Sequence, residues 1–168
     1  MSAKNDCGAC EPFAASVRQH FDYLFSELGF RQVACQEFRG GEYCLVGLES
    51  AQARMKFELD QGTPTPYFGT LHSPFDRGDE VDGVTVWYVA NALLNFVERK
   101  AGAPRLGMDG GPAHSADELL AQQATRLRPH AAELERAFAP DAPADWWQAF
   151  SAYQDERLQA LRRQMGGR

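Results

Sequence analysis

No stretch of this 168-residue chain is long and apolar enough to read as a membrane span. The most apolar segment, Val84 to Val97, is interrupted by Thr85, Asn91 and Asn95, and it falls short of the roughly 20 residues that cross a bilayer. It reads as buried core. An excess of positive charge is also lacking, since 17 basic side chains stand against 23 acidic ones for a net charge of -6. That sign opposes binding to phosphate backbones, where cationic groups must release condensed counterions. Neither nucleic acid nor membrane is expected as a partner. The first six residues, Met1 to Asp6, are polar or small and carry no apolar run of a secretory signal, so a cytoplasmic location is expected. Histidine is sparse, and His20, His72, His114 and His130 share no ligand spacing. The nucleophile elbow, the phosphate-cradling glycine loop and the zinc-protease helix motif are all missing. Hydrolase and nucleotide-binding readings therefore lack support; no catalytic residue is assigned and no cofactor is expected.

What is present is an ordinary globular composition, 44% apolar and 24% charged, which excludes disorder or collagen-like structure for the whole chain. The charge is uneven. Residues 1 to 100 carry 14 acidic and 9 basic groups, a net of -5, whereas the remainder is nearly balanced. An electrostatic partner of the first part should be basic; a modest negative charge also keeps a protein soluble.

Residues 1–12 read as a flexible terminus, 13–100 as an α+β core, 101–114 as a linker loop and 115–165 as a C-terminal helical pair packed on the same domain. Pro12 suits a first helical turn, and Phe13, Val17, Phe21, Leu24, Phe25 and Leu28 recur at three- and four-residue intervals up to Gly29. Three extended segments follow, Phe30 to Phe38, Tyr43 to Glu49 and Arg54 to Asp60. A Gly40-Gly41 turn would pair Cys35 with Val46 and Glu37 with Cys44, placing both cysteines on the face of Val33, Val46 and Leu48. The third segment alternates cleanly, with Met55, Phe57 and Leu59 inward and Arg54, Lys56, Glu58 and Asp60 outward to water. A fourth strand is expected over Tyr67 to Leu71, and a helix from about Thr85 or Trp87 to Lys100. The linker is rich in glycine and proline. Ser115 with Glu118 forms a capping-box pattern that opens a helix, and Pro129 should kink or split it. Asp145 can cap a last helix carrying Trp147, Phe150, Leu158, Leu161 and Met165.

Three features carry candidate chemistry. Cys7-Gly8-Ala9-Cys10 precedes a helix, and a thiolate is stabilised there, so a dithiol could cycle with a disulfide. Thioredoxin-like proteins place such a tetrapeptide after a buried strand, whereas only six mostly polar residues come first here. With Cys35 and Cys44 these thiols give the ligand count of a zinc site, but in strand positions that suit buried cysteines acting as small hydrophobes. The second feature is the loop His72 to Gly83, in which Asp76, Asp79, Glu80 and Asp82 gather four carboxylates without the alternating order of a calcium-binding EF-hand. It is either a solvated loop or an acidic surface that steers a cationic partner. The third is the outward face of the sheet, where Ala34, Phe38, Tyr43 and Leu45 are apolar beside Lys56 and Glu58. Either the C-terminal helical pair covers them or they form a binding patch.

Phe25 with Leu28-Gly29-Phe30, Leu48-Glu49-Ser50, Arg54 through Phe57 to Asp60-Gln61-Gly62, and Trp87 together resemble a loose group of small bacterial α+β proteins, some of them similar to immunity proteins of toxin systems. The likeness spans about residues 13 to 100, departs at Gln61 where such proteins often carry a basic residue, and brings no catalytic set with it. It implies a helix, an antiparallel meander and further helices, and a role in binding one protein.

The expected fold is thus α+β: an N-terminal helix, a four-stranded antiparallel meander, a helix, and a C-terminal helical hairpin. The expected function is non-catalytic protein binding, immunity-like, through Asp76, Asp79, Glu80 and Asp82 with Phe38, Tyr43 and Leu45. The alternative is a small thiol- or zinc-dependent protein using Cys7 and Cys10. A homodimer through the C-terminal helices is a further expectation, because Trp146 and Trp147 offer more aromatic area than one helix stripe needs.

Overall fold

The computed structural model of the chain describes residues 7–76, 78–100 and 114–166. The expected linker lies outside the described residues except for His114. The architecture is the expected α+β meander with helices before and after it. Helices α1 (Glu11–His20) and α2 (Asp22–Ser26) correspond to the first apolar periodicity, broken at Phe21 and closed by Gly29 at φ 70°. Only glycine adopts that left-handed backbone at no steric cost.

Strands β1 (Arg31–Phe38), β2 (Tyr43–Glu49), β3 (Arg54–Asp60) and β4 (Thr63–Gly69) pair antiparallel in chain order. Cys35 opposes Val46 and Glu37 opposes Cys44, as the alternation predicted, although pairing stops at Phe38 and Tyr43 and a one-turn 3-10 segment, Arg39–Gly41, makes the connection. β4 starts earlier than expected and contains Pro64 and Pro66. On its far side only Tyr67, Phe68 and Gly69 have a partner, so both prolines sit where a missing N–H breaks no ladder.

After β4 come a two-strand hairpin, β5 (Glu80–Val81) and β6 (Val84–Thr85), and a fifth sheet strand, β7 (Trp87–Val89). Trp87 therefore belongs to a strand, and helix α3 (Ala90–Lys100) begins after it. β7 joins the sheet beside β4, with Tyr67 opposite Val89 and Gly69 opposite Trp87. α4 (Ala116–Leu127) opens on the Ser115 and Glu118 capping box, in which each side chain bonds the other's backbone N–H. Pro129 splits the following helix as expected: a 3-10 turn at Arg128–His130 separates α4 from α5 (Ala131–Ala137). α6 (Ala144–Gly166) is the last element.

The helices gather on the inward face of the sheet. Phe57 meets Phe21, with ring centroids 4.7 Å apart, and Phe68 stacks on Phe138 at 5.8 Å. Trp146 and Trp147 fill this core with Phe96, Tyr88, Phe138 and Phe150. Their aromatic area is used inside the chain, which removes the reason for placing a dimer interface on them. The C-terminal helices thus reinforce the core and do not cover the outward face of the sheet.

Candidate functional site

The residues of the sequence-predicted sites fall into two places, a sulfur clasp at the N-terminus and a roof over the outward face of the sheet. In the clasp, residues Gly8–Cys10 form a 3-10 turn. The Cys10 N–H donates to the Cys7 carbonyl at 2.8 Å across this turn, with Gly8 at φ 51°, and Cys7 and Cys10 both reach the hairpin on which Cys35 and Cys44 share a side. Cys7 is bonded to Cys35 and Cys10 to Cys44, with Cα atoms 5.3 and 5.6 Å apart. No cysteine is left free. The Glu37 carboxylate adds to the clasp by accepting from the Ala9 N–H at 2.8 Å.

This corrects two expectations. Cys7 and Cys10 are not a thiol or zinc centre, because a sulfur spent in a disulfide is neither nucleophile nor ligand. Among the described residues no group of three or more histidine, cysteine or acidic side chains is placed to hold a metal ion. Within the stretch expected to be a flexible terminus to residue 12, Gly8–Cys10 forms a turn, Glu11 and Pro12 begin α1, and Cys7 and Cys10 are buried.

The roof begins with two glycines on the outward face. Gly47 sits beside Lys56 in register, and Gly69 beside Arg54. Neither position could carry a side chain: a Cβ on Gly47 would lie 2.6 Å from the Phe75 ring, and one on Gly69 would lie 2.5 Å from Ser73 Oγ. The segment from Thr70 to Val86 settles into these two gaps. Arg54 donates to the Ser73 carbonyl at 2.8 Å and Gln36 to the Phe75 carbonyl at 2.9 Å. The Trp87 indole donates to the Pro74 carbonyl at 2.7 Å, and the Ser73 hydroxyl to the Val86 carbonyl at 2.7 Å. Replacing Gly47 by valine is expected to expel Phe75 and cost about 1–3 kcal/mol, as overpacking does. Chemical denaturation followed by Trp87 fluorescence measures it, since the Phe75 and Trp87 rings are 5.6 Å apart; an unchanged midpoint would refute the seating.

Lys56 holds the roof from below. The alternation of β3 points it outward, and water was expected around it, yet its side chain is 0% exposed. Its Nζ lies 2.7 Å from Glu58 Oε1 and 2.9 Å from Asp79 Oδ1, and donates to the carbonyls of Asp76 and Gly78 at 3.3 Å each. The rings of Tyr67 and Trp87 stand 4.7 and 5.2 Å away, a geometry in which the aromatic quadrupole attracts the cation. Burial, and then the charges of Glu58 and Asp79, push the Tyr67 hydroxyl well above its ordinary pKa. The phenol therefore stays protonated, as a neutral wall of the lysine cage.

The loop carboxylates thus divide. Asp79 is spent on Lys56 and is part of the protein's own packing. Asp76 is exposed, one of its oxygens accepting the Gly78 N–H at 3.0 Å. Glu80 and Asp82 are exposed on the hairpin, whose two-residue turn has Asp82 at φ 51° and Gly83 at φ 77°. Both positive angles match the turn that tight hairpins favour. Beside these acids stand Val81, 42% exposed, and Val84, 64% exposed. The site is an acidic hairpin tip with two apolar side chains on a rigid mount.

Phe38, Tyr43 and Leu45 do not join it as a patch. Tyr43 and Leu45 are buried, and Phe38 is half-buried with its ring 5.4 Å from that of Tyr43. Leu45 is opposite Gln36, whose amide reaches the Phe75 carbonyl, so the roof extends over this part of the sheet. Lys56, Val81 and Val84 escaped sequence reasoning. The signals for them were Gly47 and Gly69 at outward strand positions and the Val81-Asp82-Gly83-Val84 pattern of a two-residue hairpin.

No helix among the described residues is long and apolar enough to cross a membrane. No family model, curated protein or solved structure matches the chain.

Proposed function

We propose that this chain is a non-catalytic protein-binding protein, immunity-like in the sense that it captures one basic protein, and that the β5–β6 hairpin is its contact surface. The observation that carries this reading is the pair Val81 and Val84, exposed opposite each other on a hairpin that also bears the exposed carboxylates of Glu80 and Asp82 and is braced by a buried lysine. An apolar centre with a charged rim is how specific protein contacts are built. Acidic groups around it steer a cationic partner and speed its encounter. The rigid mount lowers the ordering cost of binding. The net charge of -5 over residues 1 to 100 acts in the same direction.

We place the protein in an oxidising compartment. Two disulfides that use every cysteine are rare where glutathione and thioredoxin keep thiols reduced. This reading differs from the cytoplasmic expectation, which rested on the character of the first six residues.

The test is affinity capture from an extract of the producing organism, followed by titration of the captured protein. The expected partner is basic, and its affinity falls as salt is raised. Glu80→Lys with Asp82→Lys weakens it at least about tenfold, the scale of steering lost when charge is reversed. Asp79 is left intact, because its loss would disturb the mount as well as the surface. Capture that is unaffected by these substitutions and by Val84→Asp removes the hairpin as the site.

A further inference from the structure

The second half of α6 leaves the body of the protein. Trp146, Phe150 and Tyr153 in its first half are buried, whereas every residue from Gln154 to Gly166 is exposed. Leu158, Leu161 and Met165 are 51%, 50% and 77% exposed, and they form an apolar strip along two turns. At about 100° per residue the strip lies roughly 80° around the helix from the face that packs on the core. It is therefore a second apolar face, separate from the first.

We propose that this strip pairs with the same strip of a second copy of the chain, the two helices running antiparallel. Charge sets both the partner and the direction. With Leu158 and Met165 in the a positions of a heptad and Leu161 in d, Asp155 and Arg162 occupy e and Arg157 occupies g. In a parallel pair g faces e of the other helix five residues on, which would set Arg157 against the partner's Arg162 and repel. In an antiparallel pair with Leu158 opposite the partner's Leu161, e faces e, and Asp155 meets the partner's Arg162 twice by symmetry. Arg157 then faces the neutral Gln164. The sequence disfavours the parallel arrangement and complements itself in the antiparallel one. Three side chains a copy make an interface below the standard size of about 1,200 Å² or more, so the dimer is weak and concentration-dependent.

Sedimentation of the oxidised full chain, from low micromolar to near-millimolar concentration, tests this. The mass is expected to rise toward that of a dimer, and Leu161→Glu is expected to hold it at the monomer. Asp155→Arg should weaken association about tenfold, since two exposed pairs become repulsive. Asp155→Arg combined with Arg162→Asp should restore it, which a merely apolar contact would not do. Circular dichroism of each variant should match the parent, because all the substituted residues are exposed. A monomer at every concentration overturns the proposal, as does a dimer indifferent to Leu161→Glu. Failure of the double reversal to restore pairing overturns the antiparallel arrangement. A photo-crosslinker at position 161 that joins residues 101–113 of its own chain would assign the strip to that segment instead, and would equally overturn it.

Discussion

Replacing Cys10 and Cys44 together by alanine is expected to cost about 3 kcal/mol of stability, and removing all four cysteines about twice that. In the chain-entropy account a crosslink stabilises by confining the unfolded chain, and the cost grows with the loop it closes. The two bridges span 28 and 34 residues, and their loops overlap. Once Cys7 and Cys35 are joined, the path from Cys10 back to Cys7, across the bridge and on to Cys44 is only about a dozen residues. The second bridge therefore adds about 3 kcal/mol, and the first, closing 28 residues, adds slightly more. Total stabilities are commonly about 5–15 kcal/mol, so the pair decides whether the domain is folded with a margin. Urea unfolding with and without reductant measures this directly. Coincident curves for oxidised and reduced protein would sink the claim, and with it the oxidising compartment. Substituting both partners of one bridge avoids leaving a reactive thiol, so the measurement reads the crosslink and not its side reactions.

The second large effect is expected at Lys56. Converting it to alanine leaves the Glu58 carboxylate, 12% exposed, without its cation, and empties a cage lined by Tyr67 and Trp87. Breaking a buried ion pair from one side costs about 3–5 kcal/mol. Lys56→Met preserves most of the volume and should cost less, because the packing of the lysine stem survives. Asp79→Ala should cost less than Lys56→Ala, because the Asp79 side chain is 45% exposed and water screens its pair. Hydrogen exchange separates these variants by place. Lys56→Ala should raise exchange from Gly78 to Trp87, where the backbone is held by the Asp79 carbonyl, while the β1 to β3 amides stay protected. A loss no greater than that of Arg31→Ala, on a side chain 77% exposed, would show that the cage does not hold the roof.

Much of this fold could be read in the chain because its rules are local. The alternation of Met55, Phe57 and Leu59 fixed the inward face of β3, since a strand turns successive side chains to opposite sides. The same alternation placed Cys35 and Cys44 on one side of their hairpin, and the register agrees. Gly29, Pro129 and the Ser115 capping box marked helix boundaries through backbone conformation and hydrogen bonding that need no distant partner. The acidic group from Asp76 to Asp82 was equally visible, because charge is written in the sequence.

What the periodicity could not supply was the other half of each long-range contact. Alternation says that Lys56 leaves the core face; it does not say whether water or another segment waits on the other side. That depended on a loop some 20 residues later settling onto Gly47 and Gly69, and it turned an apparent surface lysine into a buried one and Asp79 into its counter-ion. Likewise the four cysteines were legible as a set, but a disulfide requires Cα atoms within about 7 Å and side chains facing each other. The chain by itself thus determined which residues alternate, cap, turn and carry charge, because those follow from the covalent backbone over a few residues. The tertiary structure alone decided which of them are left exposed, because burial belongs to whatever packs opposite, and that partner lies tens of residues away.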